Sequence, residues 1–203
     1  MSGIIAQNVG RHTGLVKASS GGGGAWTLIQ TLTSDGSDSD LSFTSGIDST
    51  YDEYVFIWNN MHPETDSVVL TFNGSSDGGS NYNVTKTSTM FRAAHYESDA
   101  SKGFSYETAG DLAQSTGFQY LMMGPIGNDN DQSTSGYLHC FGLADTTFVK
   151  QFYSVANTSQ YNDRAQNAYM GGYFNTTSAI DAIQFKMTAD EIQGGSISMY
   201  GIS

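Results

Sequence analysis

A chain of 203 residues, 38% hydrophobic and 12% aromatic, carries enough apolar material for one domain with a real core. Its formal charge of −12, with 8 Lys and Arg against 20 Asp and Glu, argues against neutralisation of phosphates and so against nucleic acid as a partner. The single cysteine, Cys140, excludes an internal disulfide, and no run approaches the roughly 18 apolar residues that a membrane-spanning helix needs.

The N-terminal stretch, residues 1–20 (MSGIIAQNVGRHTGLVKASS), sets isolated apolar side chains among polar ones at no sustained period, and residues 21–24 are all glycine. This pattern predicts an extended arm joined by a flexible hinge, with Ile4, Ile5, Val9, Arg11, Leu15, Val16 and Lys17 as its candidate assembly contacts. Such an arm gains order only against a neighbour, because alone it buries too little surface to offset its backbone entropy. Arg11 and Lys17 precede the first carboxylate, Asp35, so a weakly cationic arm leads into an acidic body. The expected organisation is an arm and hinge over 1–24 and a domain over 25–203. The opening residues lack the charged and apolar regions of a secretory leader, so the expectation is a cytoplasmic product.

From Trp26 onward, runs rich in Thr, Tyr, Phe, Val and Ile alternate with Gly, Asn, Asp and Ser, the residue types that fit a pleated sheet and its turns. Strands are predicted at 26–33, 40–43, 53–61, 67–72, 82–90, 117–122, 135–143, 148–155, 168–174, 179–187 and 195–202. Tyr54, Phe56 and Trp58 alternate with Val55, Ile57 and Asn59, and Ile183, Phe185 and Met187 with Gln184 and Lys186; such faces need a second sheet to cover them. Turn chemistry fits at SDGSDSD (34–40), NGSSDGG (73–79), GNDNDQ (127–132) and QGG (193–195). Residues 97–115 are less strand-like and predict a long loop with a short helix. The pattern as a whole predicts an all-β, antiparallel β-sandwich of jelly-roll type.

Catalytic chemistry finds little footing in these residues. Of His12, His62, His95 and His139, the first sits in the arm, the second precedes Pro63, and the last adjoins Cys140 within a strand, where neighbouring side chains point to opposite faces. A buried thiol beside an outward imidazole is the reading there. Glu53, Glu64, Glu97, Glu107 and Glu191 could in principle form a carboxylate pair, but any acidic surface offers as much. Asp35, Asp38 and Asp40 share one turn and Asp129 and Asp131 another, oxygen donors of the kind that hold Ca²⁺, yet neither turn matches a calcium loop; solvated turns are expected, with no cofactor and no metal. Tyr96, Tyr106, Tyr161 and Tyr169, near loop-like stretches, are candidate ligand contacts, since exposed aromatic rings stack on sugars, and equally candidates for a subunit interface. The Asn-x-Ser/Thr matches at Asn73, Asn83, Asn157 and Asn175 are expected by chance in so Asn- and Thr-rich a chain.

The segments LSFTSGIDSTYDEYVFIWNNMHPETDSVVL (41–70), FNGSSDGGSNYN (72–83) and the closing GGSISMYGIS (194–203) resemble virion-associated proteins of tailed bacteriophages, particularly marine ones. The resemblance implies a non-enzymatic structural protein located in the virion and made in the host cytoplasm, either a head-decorating subunit or a tail-fibre or adaptor part. The implied partners are other copies of the chain, with a trimer expected, together with the major capsid protein or tail proteins, and a host-surface glycan if the chain reads receptors.

Overall fold

The computed structural model describes residues 26–203, so the arm contacts Ile4, Ile5, Val9, Arg11, Leu15, Val16 and Lys17 and the glycine hinge lie outside the described residues. Twelve strands follow in order: β1 (Thr27–Thr33), β2 (Leu41–Phe43), β3 (Glu53–Pro63), β4 (Leu70–Ser75), β5 (Lys86–Tyr96), β6 (Lys102–Tyr106), β7 (Gln119–Tyr120), β8 (Thr134–Phe141), β9 (Lys150–Gln160), β10 (Arg164–Phe174), β11 (Ala182–Met187) and β12 (Ile192–Ile202). A large sheet of eight strands runs β1-β12-β3-β8-β9-β10-β5-β6, a small sheet of four runs β2-β11-β4-β7, and every pairing is antiparallel.

The winding is that of a jelly roll with an insertion. With the hairpins β5–β6 and β9–β10 set aside, the other strands pair first with last (β1·β12), second with second-last (β2·β11), then β3·β8 and β4·β7. That is one long hairpin wrapped around a core, which is why successive strands land on opposite sheets. The two added hairpins both join the large sheet beyond β8 and double its width.

The core lies between the sheets. Phe72 on β4 meets Phe152 and Phe174 of the large sheet edge-on at 5.3 and 6.2 Å and lies 6.3 Å from Phe185 of its own sheet. Tyr54, Phe56 and Trp58 all point inward, as their alternation predicts, and Ile183, Phe185 and Met187 face them from the small sheet. Trp58 needs room: a Cβ on Gly136 of the neighbouring β8 would stand 2.6 Å from its ring and 2.3 Å from the Val155 carbonyl, so only glycine fits there.

Two lysines are buried inside this shell. Lys86 and Lys150 open their strands, point inward and both pair with Phe174 across the sheet. Lys86 Nζ donates to Asn73 Oδ1 at 2.5 Å and to the Val84 carbonyl at 2.9 Å; Lys150 Nζ donates to the Phe148 and Thr176 carbonyls. Desolvation lowers both amines, Lys86 from its ordinary 10.5 to about 7.

Residues 97–115 differ from the expectation. They form no helix; they hold β6, which pairs with β5 through a turn where Asp99 takes a positive φ of 56°. The rest of the segment crosses the inner side of β5: Leu112 N–H donates to Ser88 Oγ, and Glu107 pairs with Arg92 at 2.6 Å. The same extended segment bonds the backbone of β5, with Ser88 N–H donating to the Leu112 carbonyl and Lys86 and Ser115 exchanging backbone hydrogen bonds. Arg92 also donates to Gln166 and the Met123 carbonyl, and Gln160 to Gln166.

Candidate functional site

Among the described residues, no further layer lies over the outward side of the large sheet. Cross-strand registers place Tyr106 opposite Phe91, Phe91 opposite Tyr169, Tyr169 opposite Val155, Val155 opposite Tyr137, and Tyr137 opposite Ile57. One row of side chains therefore crosses β6, β5, β10, β9, β8 and β3. The row on one side of it carries Tyr153, His139, Val55 and, on β12, Tyr200; the row on the other side carries Phe104, opposite Ala93. Period-2 alternation puts the rings out; the same strands put Phe152, Met170, Met90 and Leu138 in.

The rings hold one another. Phe91 lies parallel to Tyr169 with centroids 5.1 Å apart and contacts Phe104 at 5.3 Å. Tyr137 meets Tyr153 edge-on at 6.1 Å, His139 stacks on Phe141 at 4.6 Å, and Trp26 packs on Tyr200 at 5.8 Å. Near the middle of the band, Glu53 Oε2 lies 2.6 Å from His139 Nε2, and His139 Nδ1 lies 3.1 Å from the Tyr153 hydroxyl. Nε2–H donates to the carboxylate, and the other ring nitrogen, Nδ1, is bonded to the Tyr153 hydroxyl. Partial burial, then Tyr137 and Glu53, raise the Tyr153 hydroxyl above its ordinary pKa. A phenol held in its protonated form is a poor nucleophile and a good rigid contact.

Charge is nearly missing from this face. Among the outward strand positions the fixed charges are Glu53 and Lys102, one of each sign, in a chain of net charge −12. Beside Phe104 the surface dips into a shallow groove of about 400 Å³ lined by Ala93, His95, Lys102, Gly103, Asn157 and Asn167 among others.

The four candidate tyrosines separate. Tyr106 and Tyr169 stand on strands, not in loops, and share the aromatic row with Phe91 between them. Tyr106 donates to Asp111 at 2.5 Å, and that bond raises its hydroxyl. Tyr96 ends β5 beneath the Arg164 guanidinium, 5.1 Å from the ring centroid, while Tyr161 sits exposed in the β9–β10 turn. Sequence reading overlooked Phe91, Phe104, Tyr137 and Tyr153; the signal was the alternation itself, which sets aromatic residues at outward positions of several neighbouring strands.

The remaining candidates have structural work. Cys140 is buried, with its thiol pushed far up by desolvation, and His139 points the other way, as expected. His62 contacts the Asp129 carbonyl at 3.0 Å. In the acidic turns the carboxylates cap local groups: Asp35 accepts from Ser37 Oγ and N–H, Asp38 from Asp35 N–H, and Asp77 from the Asn81 side-chain amide, Ser75 Oγ and Asn81 N–H, and these hydrogen bonds lower Asp35 and Asp77. Among the described residues no group of three His, Cys, Asp or Glu converges as a metal site. Asn73 is buried, donating its amide to the Tyr82 and Thr116 carbonyls, and holds the β4–β5 loop.

No family model matches the chain, and no curated protein or solved structure matches it either.

Proposed function

We propose that this chain is a non-enzymatic structural subunit on the exterior of a tailed-bacteriophage particle, a head-decorating or cementing piece that is anchored through residues 1–24 and works as a homo-oligomer. The observation that carries this reading is the broad, ring-lined and nearly uncharged face of the large sheet on an otherwise acidic molecule. A surface of that kind is built for contact, since aromatic residues are enriched and charges depleted where proteins meet. The sequence resemblance to virion proteins supplies the setting. The jelly-roll winding, which recurs in viral capsid and lectin domains, is compatible with it by analogy of fold alone.

Imaging purified particles by cryo-electron microscopy tests the reading. Density for the sandwich over the shell, lost when residues 1–24 are deleted while the isolated variant still folds, is the expected result. Particles that lack the chain altogether would sink the proposal.

A second reading, a tail-fibre or adaptor module that binds a host glycan, is favoured by the groove beside Phe104, where Asn157 and Asn167 could bond hydroxyls while Tyr106, Phe91 and Tyr169 offer ring faces. It requires density on the tail and loss of host adsorption in Tyr106→Ala with particles intact.

A further inference from the structure

We infer that the occupant of the outward face of the large sheet is a second copy of this chain, sheet against sheet. The inference rests on the assembly reading above and gives that reading its contact surface.

Three observations converge on a like partner. The first is charge. Two copies, each of net charge −12, repel wherever their acidic turns approach, so they can pack closely only where carboxylates are scarce. The middle of the outward face is such a surface: Glu53 is its sole carboxylate among strand positions and is hydrogen-bonded to His139, while Asp99 and Asp111 stand at the β5–β6 end, bonded to Lys102 and Tyr106.

The second is area. Seven inter-strand steps of about 4.8 Å and about seven residues of strand at about 3.3 Å enclose on the order of 800 Å², the area that each partner contributes to a standard stable interface. A monosaccharide or a short glycan would cover a small part of it and leave the other rings in water.

The third is shape. The rings stack on one another, Phe91 on Tyr169 and His139 on Phe141, and continue as a row across several strands instead of enclosing a deep pocket. Small-ligand sites are concave, whereas two flat sheets pack face to face at about 10 Å by interdigitating such side chains. Tyr137, Tyr153, Phe91 and Tyr169 are thus the expected anchors, each presenting large area at little rotamer cost.

The test uses the full-length protein in sedimentation velocity across a range of concentrations. The wild type is expected to run as a dimer, at twice its 21.8 kDa chain mass. Phe91→Glu with Tyr153→Glu is expected to run as a monomer with unchanged far-ultraviolet circular dichroism; the milder Phe91→Ser with Tyr153→Ser, expected to weaken association at least tenfold, covers the case in which the charged pair fails to fold. Tyr161→Glu, in the β9–β10 turn away from the face, should leave the mass unchanged. A monomeric wild type, or an oligomer whose mass ignores both face variants, overturns the inference. If the wild type is monomeric yet the face variants lose particle binding, the occupant is another particle protein and the inference again fails. The two proposals also fail separately: a monomer found on particles sinks the interface alone, and a face-dependent oligomer absent from particles sinks the particle role alone.

Discussion

The two faces of the large sheet are built from the same strands with the same alternation, and both are aromatic, yet they have opposite fates. On the inner face Trp58 is 1% exposed, because the small sheet closes over it; on the outer face Tyr153 is 40% exposed, because nothing in the described residues lies above it. Burial is therefore a property of the neighbouring layer and not of the residue. The comparison also shows where each face keeps its polar groups. The inner face hides Lys86, Lys150 and Arg92 behind carbonyls and carboxylates, whereas the outer face is kept almost free of fixed charge.

The contrast can be broken most severely from the inner side. Phe72→Ala, which removes the ring that touches Phe152, Phe174 and Phe185, is expected to cost about 3–5 kcal/mol in urea unfolding, since the site cannot collapse around so large a void. A loss under about 1 kcal/mol would mean that the sheets are not held together there. Gly136→Val, which drives a branched side chain against Trp58 and the β9 backbone, should cost about 1–3 kcal/mol in the same assay.

Lys86 sharpens the comparison through pH. Its amine is lowered in the folded protein to about 7 from an ordinary 10.5, so below pH 7 it is charged in both states and the full penalty of burying it applies. Between pH 7 and 10.5 the folded amine sheds its proton while the unfolded one keeps it, so the contribution of Lys86 makes folding more favourable as pH rises across that window. The thermal midpoint of the wild type is expected to rise from pH 7 to 9 relative to that of Lys86→Met; parallel curves would show that the amine is not desolvated. The smallest effect belongs to the outer face. Glu53→Gln, at a carboxylate whose side chain is 35% exposed, should change stability by less than about 1 kcal/mol, and a larger loss by denaturant titration would mark the Glu53–His139 pair as part of the fold's support.

Much of this was readable in the chain. Every strand outside residues 97–115 was anticipated, because Val, Ile, Phe, Tyr and Thr at period 2 between Asp-, Asn- and Gly-rich turns gather on one face only when the chain is extended in a sheet. β6 was missed because Lys-Gly-Phe-Ser-Tyr is short, has just two rings on one side and lies at an edge with every residue exposed. The length of the β9–β10 hairpin was underestimated for a related reason: Asn157, Gln160, Gln166 and Asn167 read as loop, yet Gln160 and Gln166 are inward residues that bond each other.

Composition and alternation alone determined the all-β class, the inward set of Tyr54, Phe56, Trp58, Ile183 and Phe185, the burial of Cys140 and the outward turn of His139, since side-chain direction along a strand follows from the pleat without reference to any partner. Which strands became neighbours was decided only in three dimensions. The order β8-β9-β10-β5-β6 brings Phe91 and Tyr169, far apart in the chain, into contact, and places Lys86 beside Asn73 and Arg92 beside Glu107 and Gln166. Pairing between distant strands depends on the packing of the whole sandwich, so local pattern can say that a ring points outward, while the register of its neighbours makes that ring part of a surface.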